Sequence, residues 1–115
     1  MPFGSGFGSF VPVYKMFEGP EAVINTYINH AHDDWLEVLL EGGVLAALLL
    51  LAFLVWFARQ AARVWSLGGV EAAPARAASL CILLLLVHSL ADYPLRSPAM
   101  SVLFAFCCAM MLTYP

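Results

Sequence analysis

The chain has 115 residues, of which 63% are hydrophobic and only 11% are charged, and its mean hydropathy is +0.86. This composition excludes a disordered chain and argues against an ordinary soluble domain, and the length allows one domain at most. Five basic and eight acidic residues give a net charge of −3 without a basic stripe, so nucleic-acid binding is not expected. The three cysteines, Cys81, Cys107 and Cys108, lie in apolar runs and are predicted to be small core residues.

The first feature in chain order is the segment at residues 3–10, in which glycine alternates with other residues. Glycine permits positive φ and a close approach of the backbone to another group. A dinucleotide-binding fingerprint is not indicated, because it needs a preceding strand and a glycine where Ser9 stands. Two interpretations stay open: a flexible turn, and a loop whose exposed N–H groups bind a phosphate.

A helix start is predicted just before the first long apolar run. Asp34 and Glu37 have the spacing of a capping box, with Asp34 as the cap, and the helix is expected to continue through Glu41 into that run. Asp33, Glu37 and Glu41 follow one another at intervals of four, so they stack on one helix face. We expect this acidic face to meet water or a polar cleft rather than lipid.

Two histidines, His30 and His32, precede the predicted helix start. Their spacing does not match a recognised zinc pattern such as His-Glu-x-x-His, so no metal site and no cofactor are predicted. The adjacent carboxylates of Asp33 and Asp34 point in different directions, which argues against a paired-carboxylate glycosidase. A histidine beside carboxylates can act as a general base, and a polar interface histidine without chemistry is the alternative.

Three uncharged apolar runs follow this segment. A membrane helix needs about 20 mostly apolar residues, and a soluble surface helix needs charges on its outer side, which these runs lack. The sequence therefore predicts an all-α integral membrane fold rather than a very apolar soluble bundle. The predicted organisation is a loop segment at residues 1–41 and a membrane segment at 42–115, with helices at about 38–58, 74–91 and 97–114. The second helix is long enough if Arg76 extends its head group toward the interface.

Arginines are concentrated between the first two predicted membrane helices. The connector at residues 59–76 contains three of them, whereas the opposite side has only Lys15 and Arg96 as basic residues. The positive-inside rule therefore predicts that this connector is cytoplasmic. The segments at residues 1–41 and 92–97 then lie together on the opposite face, so the two histidines before the first helix share a compartment with Arg96.

The turn between the second and third apolar runs contains further polar side chains. His88 and Asp92 are spaced to pair on one helix face. A hydrogen bond from His88 to a neighbouring helix is one interpretation, and a proton relay in a transporter fragment is another, although it requires more polar groups inside the membrane. Arg96 is placed either to neutralise a phosphate or to pair with Asp92, with Pro94 breaking regular helix between them.

Three stretches of the sequence are similar to one known membrane family. They are GSGFGSF at residues 4–10, NHAHDDWLEVLLEGG at residues 29–43 and HSLADYPLRSP at residues 88–98. Together they resemble the C-terminal part of the bacterial O-antigen ligase / O-antigen polymerase-like family. The first is similar to the glycine-rich start of a large periplasmic loop in that family. The second is similar to a signature in which a histidine precedes an aromatic residue, a leucine, a glutamate and a glycine.

The resemblance implies a glycosyltransferase of the bacterial inner membrane that serves lipopolysaccharide biosynthesis. It implies metal-independent transfer of a glycan from undecaprenyl diphosphate to an acceptor sugar, in lipid A–core or a growing polysaccharide. His32 matches the histidine that is proposed to deprotonate the acceptor hydroxyl in the periplasm, with Asp33 or Asp34 orienting it. The substrate-binding residues expected from the resemblance and the residue types are Gly4, Gly6, Gly8 and Arg96.

The start of the chain shows no secretory signal, because a basic region followed by an apolar region is absent. We therefore expect the chain to be the last part of a larger polytopic bundle. Its expected partners are the lipid bilayer, the preceding membrane helices of the same protein and the polyprenyl-linked glycan. The family's diphosphate-binding arginines lie upstream of Gly4, so the chain alone is expected to be inactive. The alternative is a small three-helix membrane protein that packs against a partner without catalysis.

Overall fold

The computed structural model of this chain describes residues 3–17 and 34–114. All regular secondary structure in these two ranges is helical, which confirms the all-α prediction. The elements are α1 (Phe10–Phe17), α2 (Asp34–Ser66), α3 (Ala73–His88), a 3₁₀ turn (Pro94–Arg96) and α4 (Pro98–Leu112). Helix α1 lies in the segment for which the sequence predicts only a loop. Pro12 is accommodated because it stands in the first turn, where a missing backbone N–H costs nothing.

The long helix α2 begins at Asp34, as predicted, and ends at Ser66, well beyond the predicted boundary near residue 58. The additional turns contain alanine, arginine and glutamine, which are good helix formers. Arg59 and Arg63 therefore lie on a helix and not in a loop, and the connector to α3 is much shorter than predicted.

Arg76 closes the C-terminal end of α2, although the sequence predicts that it extends toward an interface. Its Nε donates to the carbonyl oxygen of Val64 at 3.4 Å, and its Nη2 donates to the carbonyl oxygen of Leu67. The last carbonyls of a helix lack intrahelical donors, so a cation is favourable there. The guanidinium also lies 5.7 Å from the centre of the Trp65 ring, whose Nε1 donates to Ser79 Oγ at 3.1 Å.

Helix α2 is kinked at Gly43, where the backbone has φ 58° and ψ −145°. This combination is essentially restricted to glycine. The kink interrupts the helical hydrogen-bond ladder. Helix α2 therefore consists of a short N-terminal part that bears the acidic face and a long apolar part that continues to Ser66.

Helices α3 and α4 pack against each other and form the buried core. Ala78, Ile82 and Leu86 of α3 meet Cys107 and Met111 of α4. Small side chains at a helix interface allow the backbones to approach closely, and alanine and cysteine serve this purpose here. The three cysteines are free thiols that pack in or against this core, which confirms their predicted role.

The apolar part of α2 packs against the α3–α4 pair through an aromatic contact and the hydrogen bonds of a buried amide. The rings of Phe53 and Phe104 are 5.5 Å apart between their centres. Nε2 of Gln60 donates to the carbonyl oxygens of Met111 at 2.5 Å and Tyr114 at 3.2 Å. These carbonyls stand at the end of α4, where intrahelical donors run out, so Gln60 ties that end to α2.

Within the described residues, one helix is long and apolar enough to cross a membrane, the segment Trp35–Ser66 of α2. Helices α3 and α4 have 16 and 15 residues, fewer than the roughly 20 that a full span needs. Pro98 sets the start of α4, because the residue before a proline is disfavoured in helical conformation, and Ser97 accordingly takes an extended backbone with ψ 124°.

Candidate functional site

The centre of the candidate site is an ion pair between α2 and the 3₁₀ turn. Nη2 of Arg96 lies 2.5 Å from Oε1 of Glu37 and donates a hydrogen bond to it. Glu37 is 1% exposed, whereas the side chain of Arg96 is 38% exposed. An ionised carboxylate buried to this degree needs a paired cation. The fold therefore joins the acidic face of α2 to an arginine that is 59 positions away.

The backbone around Arg96 is held by two prolines and a tight turn. Pro94 is the first residue of the 3₁₀ turn, and Pro98 is the first residue of α4. The N–H of Arg96 donates to the carbonyl of Tyr93 at 3.2 Å, and that of Ser97 donates to the carbonyl of Pro94 at 3.1 Å. Because proline fixes φ, this short segment presents the arginine from a defined position.

Asp92, the alternative partner for Arg96, is engaged elsewhere. Its Oδ1 accepts a hydrogen bond from the N–H of Tyr93 at 2.9 Å, and its Oδ2 lies 3.8 Å from Nε2 of His88. The predicted pairing of His88 with Asp92 is thus confirmed, but both side chains are exposed, and His88 makes no interhelical hydrogen bond to the described residues. Pro94 breaks the helix after Asp92, so Arg96 is not carried to the same helix face.

The glycine-rich segment binds to the kink of α2. The N–H of Ser5 donates to the carbonyl of Leu40, and the N–H of Gly6 donates to the carbonyl of Glu41, each at 3.0 Å. The hydroxyl of Ser5 also donates to the carbonyl of Leu40 at 3.3 Å. Because the kink at Gly43 disturbs the regular ladder, carbonyls before it need other donors, and this segment supplies them.

The three glycines of the segment have φ of 69° at Gly4, 95° at Gly6 and 81° at Gly8, in the region that favours glycine. A Cβ at Gly4 would collide with the carbonyl of Glu41, whereas one at Gly6 or Gly8 would meet open space. The N–H groups of Ser5 and Gly6 are committed to α2, so they do not form the phosphate-binding nest that the sequence permits. A substrate-binding role for the three glycines stays a prediction.

The acidic face of α2 is buried, not solvated. Glu41 follows Glu37 by one turn and is 4% exposed. Of the two predicted surroundings, water is therefore wrong for these two residues, and a polar cleft stays a prediction. Their spacing indicates that they share a helix face but not that this face is buried. The sequence pattern therefore does not identify Glu37 and Glu41 as site residues. The one sequence feature that could have indicated this burial is the position of Glu41 directly before the glycine pair at residues 42–43.

A small cavity of about 80 Å³ adjoins the N-terminal part of α2, between Trp35, Ser89 and Leu95. The Nε1 of Trp35 donates to the carbonyl of Leu86 at 3.2 Å and thereby fixes α2 to α3. The buried hydroxyl of Ser89 has no hydrogen-bond partner among the described residues.

The predicted catalytic residues lie at the edge of the described chain. His30, His32 and Asp33 fall outside the described residues, and Asp34 is described only as the first residue of α2. The roles predicted for His32, Asp33 and Asp34 therefore stay predictions. In residues 3–17 and 34–114, no group of three or more metal-ligating side chains is placed to hold an ion.

Comparisons with known protein families, with curated proteins and with solved structures find no match. What the described residues define is a buried carboxylate that orients a partly exposed guanidinium at one end of a helical bundle. A guanidinium carries five N–H donors in a planar fork, a geometry that suits carboxylate and phosphate oxygens. Arg96 is thus the described residue best placed to meet an anion at this end.

Proposed function

We propose that the chain is the C-terminal part of a bacterial inner-membrane glycosyltransferase that transfers a glycan from undecaprenyl diphosphate to an acceptor sugar. The observation that supports this proposal is the convergence of three distant segments. Residues 4–6 attach to the kink of α2, and Arg96 of the 3₁₀ turn attaches to Glu37. The three stretches that carry the family resemblance thus contribute to one cluster, as expected if they build one site.

Membrane placement is part of the proposal, and the surface of α2 supports it. Only 6% of the most apolar 18-residue window of this helix is buried. Leu45, Leu49, Leu84 and Val102 are each more than half exposed. Lipid tails would cover such side chains, and helices satisfy their backbone polar groups internally, as a bilayer requires. Resistance of the chain to extraction from membranes at alkaline pH is the measurement that checks this placement.

In the proposed mechanism, His32 acts as the general base at the periplasmic surface. It takes the proton of the acceptor hydroxyl while the hydroxyl oxygen attacks the anomeric carbon of the glycan. The bond from that carbon to the diphosphate oxygen breaks, and the diphosphate leaves with the electron pair. Arg96, oriented by Glu37, is positioned to stabilise the negative charge of the leaving group. Asp33 or Asp34 holds the imidazole in the required orientation.

The test is His32→Ala in the complete gene, with attachment of surface glycan to lipid A–core or polysaccharide measured on gels. We expect loss of attachment, because without a base the acceptor hydroxyl keeps its proton. His30→Ala is the matched control, and we expect it to retain attachment, because the family signature aligns with His32. Normal attachment in His32→Ala would overturn the proposal.

The alternative, a three-helix protein with a packing role and no catalysis, is favoured by one feature. A buried carboxylate paired with arginine is also consistent with a purely structural ion pair that holds two helical elements together. This function predicts that His32→Ala has no effect on surface glycan, whereas the glycosyltransferase proposal predicts loss of glycan attachment. The His32→Ala variant therefore separates the two functions.

A further inference from the structure

A groove of about 790 Å³ lies along α2 on the far side of the kink from the Glu37–Arg96 pair. Its floor is apolar and includes Leu48, Leu51 and Val55, and its far end is formed by Arg59 and Arg63. The C-terminal end of α4 forms the opposite wall. The groove is therefore apolar along its length and positively charged at one end. This arrangement is complementary to a lipid with an apolar acyl chain and a negatively charged head group.

The two arginines at the end of the groove are placed to act together. Arg59 and Arg63 are one turn apart on α2, so they are neighbours on one helix face. Both are exposed, and no described acidic side chain pairs with either of them. The nearby Gln60 already donates to the end of α4, and Arg76 already donates to the end of α2. Among these side chains, Arg59 and Arg63 are therefore the cations that remain available to bind a ligand in the groove.

The length of the groove matches one leaflet of a bilayer. From Leu48 to Arg59, the rise along the helix is about 16 Å at 1.5 Å per residue. Half of a hydrocarbon core about 30 Å thick is about 15 Å. Trp56 lies at the charged end of the groove, at the depth where tryptophan is enriched in membrane proteins. An acyl chain lying on the apolar floor would therefore place its head group beside the arginines.

We infer that this groove binds one anionic phospholipid of the cytoplasmic leaflet, with the phosphate between Arg59 and Arg63 and an acyl chain along Leu48, Leu51 and Val55. Charge complementarity selects this occupant, because none of the groove residues is acidic and two arginines bind a phosphodiester through charge-assisted hydrogen bonds. A zwitterionic lipid offers the same phosphate but adds an ammonium that the arginines repel. The inference rests on the membrane placement proposed above and not on the glycan-transfer chemistry.

The experiment uses the purified protein encoded by the complete gene in vesicles of phosphatidylcholine and measures quenching of tryptophan fluorescence by brominated lipids. The part of the quenching that Trp56→Phe removes reports on the groove. At equal mole fraction, we expect brominated phosphatidylglycerol to be preferred over brominated phosphatidylcholine by about thirtyfold, from the attraction of two arginines for an anionic head group. Arg59→Gln with Arg63→Gln is expected to abolish this preference, and Arg59→Lys with Arg63→Lys is expected to keep it.

Lys15→Gln is the matched control, because it removes one positive charge from α1 and should leave the preference unchanged. Circular dichroism of each variant checks that helix content is kept. Equal quenching by the two lipids, or a preference that survives the double glutamine variant, overturns the inference and leaves a protein partner as the occupant. Failure of the chain to float with any vesicles also overturns it, and unlike the other outcomes it removes the membrane placement as well.

Discussion

Arg96 and Glu37 form an ion pair in which the carboxylate is buried and the guanidinium is partly exposed. This difference in exposure determines how strongly a substitution of Arg96 or of Glu37 lowers the stability of the fold. Water can solvate the arginine if its partner is lost, whereas it reaches the glutamate only if the helices separate. The pair therefore holds the 3₁₀ turn against α2 chiefly because the buried carboxylate requires a cation.

We predict that Arg96→Met destabilises the fold more than Glu37→Gln does. Removing the cation from a buried carboxylate costs about 3–5 kcal/mol, whereas Glu37→Gln leaves an arginine that remains in contact with solvent and should cost about 1–2 kcal/mol. The free energy of unfolding, measured by denaturant titration in detergent micelles, checks the order. Asp92→Asn is the control, with little expected effect because its side chain is half exposed. Equal costs for the first two variants would contradict the asymmetry.

The backbone of Gly43 predicts a specific cost for the smallest side chain. Gly43→Ala places a Cβ at φ 58° and ψ −145°, which only glycine adopts readily, and we expect a loss of about 1–3 kcal/mol in the free energy of unfolding. Gly68→Ala is the matched control, because a Cβ there meets open space and its φ is not in the left-handed region. An equal effect of the two substitutions would show that α2 is not kinked at Gly43.

The attachment of the glycine-rich segment to α2 is tested at Gly4 and Gly6. A Cβ at Gly4 collides with the Glu41 carbonyl and approaches the backbone nitrogen of Gly43 to 2.7 Å, whereas one at Gly6 meets open space. Both positions have positive φ, so Gly6→Ala isolates the conformational cost, about 1–2 kcal/mol. We expect Gly4→Ala to detach the segment.

The measurement is hydrogen exchange of the amides of Ser5 and Gly6, which donate to Leu40 and Glu41. We expect exchange at both amides to become fast in Gly4→Ala and to change far less in Gly6→Ala. Equal protection in the two variants would mean that the segment does not pack against the kink of α2.

Local patterns in the sequence are sufficient to predict the three principal helices and where one of them begins, but they do not predict α1. The spacing of Asp34 and Glu37 predicts the first residue of α2, and the uncharged runs predict the three principal helices. The end of α2 is not predictable from hydropathy, because the arginines and the glutamine beyond residue 58 are polar yet good helix formers. The C-terminal end of α2 is closed by Arg76, a contact that depends on how α3 packs against α2.

The partner of Arg96 could not be predicted, because sequence spacing reports only on neighbours along one helix. That spacing favours Asp92, whereas the fold supplies Glu37 from 59 positions away. The same holds for the kink, since the glycine pair at residues 42–43 indicates a weak point in α2 but not that Ser5 and Gly6 provide the missing donors. Long-range contacts of this kind depend on packing of the whole bundle.

The closure of α2 by Arg76 leads to a prediction that separates Arg76 of α3 from Arg63 of α2. Arg76→Gln removes donors to the carbonyls of Val64 and Leu67 and the contact with the Trp65 ring, so we expect a loss of about 1.5–3 kcal/mol in the free energy of unfolding. Arg63→Gln removes the same charge from an exposed position and should change that free energy by less than about 0.5 kcal/mol.

Denaturant titration of both variants in detergent checks this difference, and Trp65 emission follows the site directly. Trp65 donates to Ser79 Oγ, which in turn donates to the carbonyl of Arg76, so a loosened Arg76 increases the exposure of an indole that is already 54% exposed and shifts its emission to longer wavelength. If both glutamine variants unfold alike and Trp65 emission is unchanged, Arg76 does not close α2. A red shift confined to Arg76→Gln would show that the end of α2 is held by one cation, which leaves Arg63 available to the groove.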